Sequence, residues 1–136
     1  MIILNEQKLK RAINESLDKY KHKLAQLRLI QQSNPMLDDY HTGVREINDI
    51  LTFEEAANNE GSVITDESWT EDDIKRALSN KWIIVYSSKP IINGVFVSPS
   101  IMCAKEYAGG GKVYSKKIRK EDVAWIDTYE GQYASV

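Results

Sequence analysis

The feature that most constrains this chain is a row of apolar residues near its start. Ile13, Leu17, Tyr20, Leu24 and Leu27 recur at alternating spacings of four and three. That spacing puts them on one stripe of a helix, close to a heptad seam. Asn5 is placed to cap the helix, and Ser33-Asn34-Pro35 to end it, since Pro35 disfavours helical backbone at Asn34. A helix of about 27 residues is about 40 Å long at its rise per residue. That exceeds what is needed to cover a small sheet. The stripe therefore has two readings: a helix packed along the body, or an arm for self-association, a homodimer seam among the possibilities.

After the helix the pattern shifts. Residues 36–51 look irregular, with at most a helical turn. Thr52 and Glu55 have capping-box spacing before a short helix that Gly61 would stop. Thr70 and Asp73 repeat that spacing. Trp69 and Ile74 then stand as a hydrophobic staple, Ile74, Ala77 and Leu78 as a buried stripe, and Asn80 as a left-handed stop. Trp82–Ser88 is β-branched and aromatic and reads as a buried strand. Asn93-Gly94 marks a turn before a second strand. Ser98 is read as capping a two-turn helix with Pro99 at its first position and Gly109 as its stop. Lys112–Ile118 and Val123–Asp127 read as further strands, and the tail as a short edge strand. Helices come first and strands later. The expected fold class is α+β: a long N-terminal helix, residues 1–35, and short helices on a small mixed or antiparallel sheet within a compact unit, residues 36–136.

Charge divides the chain into blocks. Residues 1–35 hold seven Lys/Arg against three Asp/Glu, residues 36–74 one against twelve, and residues 75–136 ten against five. The middle block repels nucleic acid and suits a basic protein surface, with Asp66, Glu67, Glu71, Asp72 and Asp73 as the candidate partner-binding acids. The other reading is a solvated face. The sequence contains neither a window long enough to span a membrane nor a signal peptide. Cys103 is the single cysteine, which excludes an internal disulfide and fits a reducing cytoplasm.

Several chemistries find little support. Gly109-Gly110-Gly111-Lys112 lies between a helix and a strand, the reverse of a phosphate loop, and Val113 stands where Ser or Thr is needed. Asp38, Asp39 and His41 lack a second cluster to complete a metal site, so no metal is expected. Cys103 sits mid-helix and reads as core. What remains is a possible cleft where strand ends converge, bringing Tyr86, Ser98 and Glu130 or Gln132 together. There a hydroxyl would orient a ligand and a carboxylate would stabilise a positive, oxocarbenium-like centre.

Residues 34–136, with "NPMLDDYHTGVREINDILTFEEA" and "WIIVYSSKPI…NGVFVSPSIMCAKEYAGGGKVYSKKI…EDVAWIDTYEGQYA", resemble a segment of large polyvalent proteins from bacteriophages and conjugative elements of Firmicutes. A weaker resemblance is to the ADP-ribosyltransferase fold. It implies NAD as substrate, with Tyr86 at the place of the first-strand Arg or His, and Ser98 and Ser100 matching the Ser-Thr-Ser strand. Glu130 or Gln132 would match the catalytic-Glu motif. Gln132 stands where that motif ends in the acid, and an amide does not supply the negative charge. The favoured expectation is therefore a non-catalytic accessory protein of a phage or mobile element. It would bind a host protein in the infected bacterial cytoplasm, as a counter-defence, anti-CRISPR-like inhibitor of a nuclease. The alternatives are an NAD-dependent ADP-ribosyltransferase and a self-associating structural module.

Overall fold

The computed structural model describes residues 5–33 and 43–136. The fold is α+β. Helix α1 (Glu6–Ser33) opens the chain, with the Gln7 amide donating to Asn5 Oδ1 at 2.9 Å. Helices α2 (Phe53–Asn58) and α3 (Glu71–Ser79) follow, each started by a closed capping box: Thr52 with Glu55, and Thr70 with Asp73. A turn of 3-10 helix at Ile47–Asp49 is the regular structure in the described part of the segment read as irregular.

The sheet is antiparallel throughout. Strand β1 (Trp82–Ser87) pairs with β3 (Tyr114–Arg119) over their full lengths, Trp82 opposite Arg119 and Ser87 opposite Tyr114. Strands β2 (Phe96–Val97), β5 (Gly131–Tyr133) and β4 (Val123–Trp125) form a second ladder in the order β2-β5-β4. A single bridge between Tyr86 and Ser98 joins the two ladders, and Leu51 extends the far side by pairing with Trp125. Helix α4 (Ile101–Ala108) connects β2 to β3 and ends in Gly109, whose φ of 55° is left-handed.

Five local expectations are corrected. The tail strand β5 is central in its ladder, because both β2 and β4 pair with it. Strand β1 is buried on one face only: Ile83, Val85 and Ser87 point inward, while Trp82 and Ile84 face outward, the Trp82 ring against the Lys117 and Arg119 side chains of β3. Leu78 lies outside the α3 stripe and is exposed. Asn80 is extended at φ −106°, so α3 stops without a left-handed residue. Ser100, not Ser98, caps α4, its hydroxyl accepting from the Cys103 amide at 3.0 Å. Ser98 is unsuited to that role because its amide and carbonyl are both taken by Tyr86.

The main core gathers Phe53, Trp69, Ile74, Val85, Val97, Ile118 and Trp125 between the helices and the sheet. A smaller cluster of Ile30, Val44, Ile50, Ala124 and Ala134 seats the end of α1. Polar contacts reinforce that seat. Buried Gln26 donates to the Glu121 carbonyl at 2.9 Å and the Ala134 carbonyl at 3.3 Å. Lys23 reaches Glu55 at 2.7 Å.

Burial alone would raise the Glu55 carboxyl. The Lys23 and Thr52 hydrogen bonds and the charges of Lys23 and Lys19 outweigh it and hold the group down at about 2, from 4.5. A folded value below the unfolded one stabilises above about pH 4.5, and that contribution is lost as pH falls toward 2. Lys23→Met is expected to move the midpoint of acid unfolding upward by a few tenths of a pH unit, read by circular dichroism.

Candidate functional site

The backbones of the two ladders join at one residue pair. Tyr86 N–H donates to the Ser98 carbonyl at 2.7 Å, and Ser98 N–H donates to the Tyr86 carbonyl at 2.9 Å. Beyond that pair the segment 88–93 leaves the sheet, and a cleft of about 310 Å³ opens beside it. Tyr86 and Ser98 line its base, Cys103 and Tyr107 of α4 form one wall, and Lys89 lies on the outgoing segment. Glu130 enters from the turn between β4 and β5. The volume is at the lower end of the range for small-molecule sites.

The turn carrying Glu130 is held from three sides. Asp127 Oδ1 accepts from the Tyr129 amide at 2.6 Å and the Glu130 amide at 2.8 Å. This is the local closure that Asp makes in turns. Burial still raises the Asp127 carboxyl above its usual range, against those two bonds. Thr128, fully buried, donates its hydroxyl to the Ser62 carbonyl at 3.1 Å. The Ser98 hydroxyl donates to the Tyr129 carbonyl and accepts from the Ser100 amide at 3.0 Å. Ser98 thus ties the strand junction to the turn, fixing the distance between Tyr86 and Glu130.

Behind the cleft lies a second polar group. Asp66 Oδ1 accepts from the Ser68 amide and hydroxyl, both at 2.7 Å, and from the Trp69 amide at 2.9 Å. Its Oδ2 accepts from the Ser100 hydroxyl. Burial pushes the Asp66 carboxyl up, but the bonds from Ser100, Ser68 and Tyr129 win and leave it below the usual range. Burial first, and then the adjoining Asp66 carboxylate, push the Tyr129 phenol well above its ordinary value. The Cys103 thiol is raised by burial, and the charges of Glu130 and Asp66 add to this. A thiol held protonated is a poor nucleophile.

The structure places the remaining sequence-derived residues as follows. Ser100 is fully buried and serves α4 and Asp66 rather than the cleft. Gln132 is fully buried as well: its Oε1 accepts from the Val44 amide at 2.7 Å, and its Nε2 donates to the Gly94 carbonyl at 3.0 Å. Of the five acids, Asp66 turns inward, and Asp73 closes the α3 capping box and pairs with Arg76. Glu67, Glu71 and Asp72 are exposed. Ile13, Leu17 and Tyr20 are exposed, whereas Leu24 and Leu27 are half-buried on the body. Asp38, Asp39 and His41 lie outside the described residues, among which no metal-binding group of His, Cys, Asp or Glu occurs. Among the described residues no helix is long and apolar enough to cross a membrane.

Sequence reasoning missed Tyr107 and Lys89. Tyr107 stands four residues after Cys103, on the same helix face, and that spacing was available as a signal. Lys89 carried none, because only the departure of residues 88–93 from the sheet brings it to the cleft. No protein-family model, curated protein or solved structure matches this chain.

Proposed function

We propose that the chain is an NAD-dependent ADP-ribosyltransferase of a phage or mobile element that modifies a host protein, with Glu130 as its carboxylate. The observation that carries this reading is the convergence of Tyr86, Ser98 and Glu130 on one cleft, with Gln132 turned away into the interior. In this reading the missing charge at position 132 is supplied from position 130. The bond between the ribose C1′ and the nicotinamide nitrogen breaks, and nicotinamide departs with the electron pair as a neutral base. Positive charge builds on the ribose, where a fixed carboxylate stabilises it. A nucleophilic side chain of the host protein bonds to C1′ and gives up its proton. Tyr86 and Tyr107 offer rings for stacking, and Lys89 a cation for the pyrophosphate.

The test is transfer of label from NAD to protein in a host lysate, with nicotinamide release measured alongside. Glu130→Gln should abolish both while leaving the melting curve in place. Absence of label and of nicotinamide release from the wild-type chain overturns the reading.

A second reading, inhibition of a host nuclease by its acidic face, is favoured by the exposure of Glu67, Glu71 and Asp72. These charges would compete for a basic nucleic-acid channel. Capture of the nuclease should then weaken steeply with salt and be lost on Glu71→Lys and Asp72→Lys, with no dependence on NAD.

A further inference from the structure

The first sixteen residues of α1, 6–21, are exposed on every side. The body first meets the helix at Lys19, whose ammonium lies 3.7 Å from Glu55, and grips it from His22 onward, through His22 to the Glu121 carbonyl at 2.7 Å, Lys23 to Glu55 and Gln26 to Glu121 and Ala134. What projects is about 24 Å of helix. On it Leu9, Ile13, Leu17 and Tyr20 are 49%, 50%, 49% and 52% exposed. Ile13, Leu17 and Tyr20 continue the row whose later members, Leu24 and Leu27, pack on the body, and Leu9 flanks it beside Lys10. Apolar side chains at this density along an uncovered helix face mark an interface.

We propose that this arm pairs with the arm of a second copy in an antiparallel, two-fold symmetric coil centred near Glu15. The seam itself selects the arrangement. In heptad terms Ile13, Tyr20 and Leu27 are d positions, Leu17 and Leu24 are a positions, and Lys10 is the a position one turn earlier. A parallel pair would set Lys10 against Lys10 in the seam. It would also bring both bodies to the same end of the coil. An antiparallel pair sets Ile13 on Leu17 of the second copy twice over, and Lys10 over the Tyr20 ring of the second copy, a cation–π contact. Its flanks meet as Ser16 on Ser16 and Asn14 on Asn14, with no like charges opposed. The bodies then lie at opposite ends, and the two-fold falls near the middle of the exposed stretch.

Half of four large side chains is on the order of 400 Å² per copy, below the roughly 800 Å² per partner of a standard interface. The dimer is accordingly weak, forming over roughly 1–100 µM. An isologous contact closes on itself, so assembly stops at two.

The experiment is sedimentation of the full chain by analytical ultracentrifugation across that range, together with cysteine cross-linking. The mass should climb from the 15.5 kDa of one chain toward twice that value. Leu17→Asp should hold it at one chain at every concentration, with an unchanged melting curve because the position is exposed. Under mild oxidation Ser16→Cys should form a disulfide-linked dimer and Lys10→Cys should not. A mass of one chain throughout, a dimer that survives Leu17→Asp, or linkage through Lys10→Cys in place of Ser16→Cys overturns the proposal.

Discussion

Gln132→Glu is expected to destabilise the protein by about 3 kcal/mol and to add nothing to NAD turnover. Restoring the acid at that position would be the obvious repair if the resemblance to ADP-ribosyltransferases were followed by alignment alone. The surroundings of the side chain argue otherwise. Gln132 is fully buried, and its amide group donates to one carbonyl while its oxygen accepts from one amide. A carboxylate keeps the contact with the Val44 amide but turns a second acceptor on the Gly94 carbonyl. The residue is also confined: a Cβ on Gly43 would stand 2.6 Å from Gln132 Oε1, so the segment at Gly43 passes directly over it. The substituted acid is therefore buried, unpaired on one side, and unable to swing out. Urea unfolding should show a lower midpoint at constant slope. The loss should shrink as pH falls toward the ordinary glutamate value, about 4.3, because the buried acid takes up its proton above that value and, once protonated, donates to Gly94 again. If Gln132→Glu instead keeps its stability and gains activity, the carboxylate at 130 is not the one that serves the ribose.

Trp125→Ala should cost about 4 kcal/mol, the range for emptying a large aromatic site. Trp125 is fully buried, meets the Phe53 ring edge-on at 5.1 Å between centroids, and donates its indole N–H to the Lys120 carbonyl at 2.9 Å. Its backbone also exchanges two hydrogen bonds with Leu51, which tie the segment before α2 to β4. Loss of the ring opens the junction between α2, β4 and the turn at Lys120–Asp122 at once. Against a total stability of roughly 5–15 kcal/mol, this is a large share. The melting temperature should fall by roughly 10–20 °C, read by calorimetry. Trp125→Phe, which fills most of the space and removes the indole donor, should cost about a third as much. Equal losses for the two would mean that the hydrogen bond to Lys120, and not the packing, carries the effect.

The helices, their capping boxes and the Gly109 stop were legible in the sequence because each is decided by residues within four positions of one another. The α+β class followed from the order of those local patterns. The candidate cleft was half legible: Tyr86, Ser98 and Glu130 stood at element ends and the amide of Gln132 lacks the charge, but no local pattern showed that Gln132 turns into the core or that Lys89 reaches the cleft. Asp66 illustrates the same limit. It belongs to the most acidic stretch of the chain, yet folding turns it inward onto Ser68 and Ser100, a contact made across 34 residues.

Taken alone, the sequence determined the long helix with its apolar row, the strand-rich second half, the two capping boxes and the Gly109 stop. Tertiary structure alone decided that β5 lies between β2 and β4, that Ser98 bridges strands while Ser100 caps α4, and that Glu130 faces the cleft while Gln132 faces the core. The reason is physical. Successive side chains of an extended chain point to opposite faces, and which face is inside is set by pairing with distant strands rather than by neighbours in the chain.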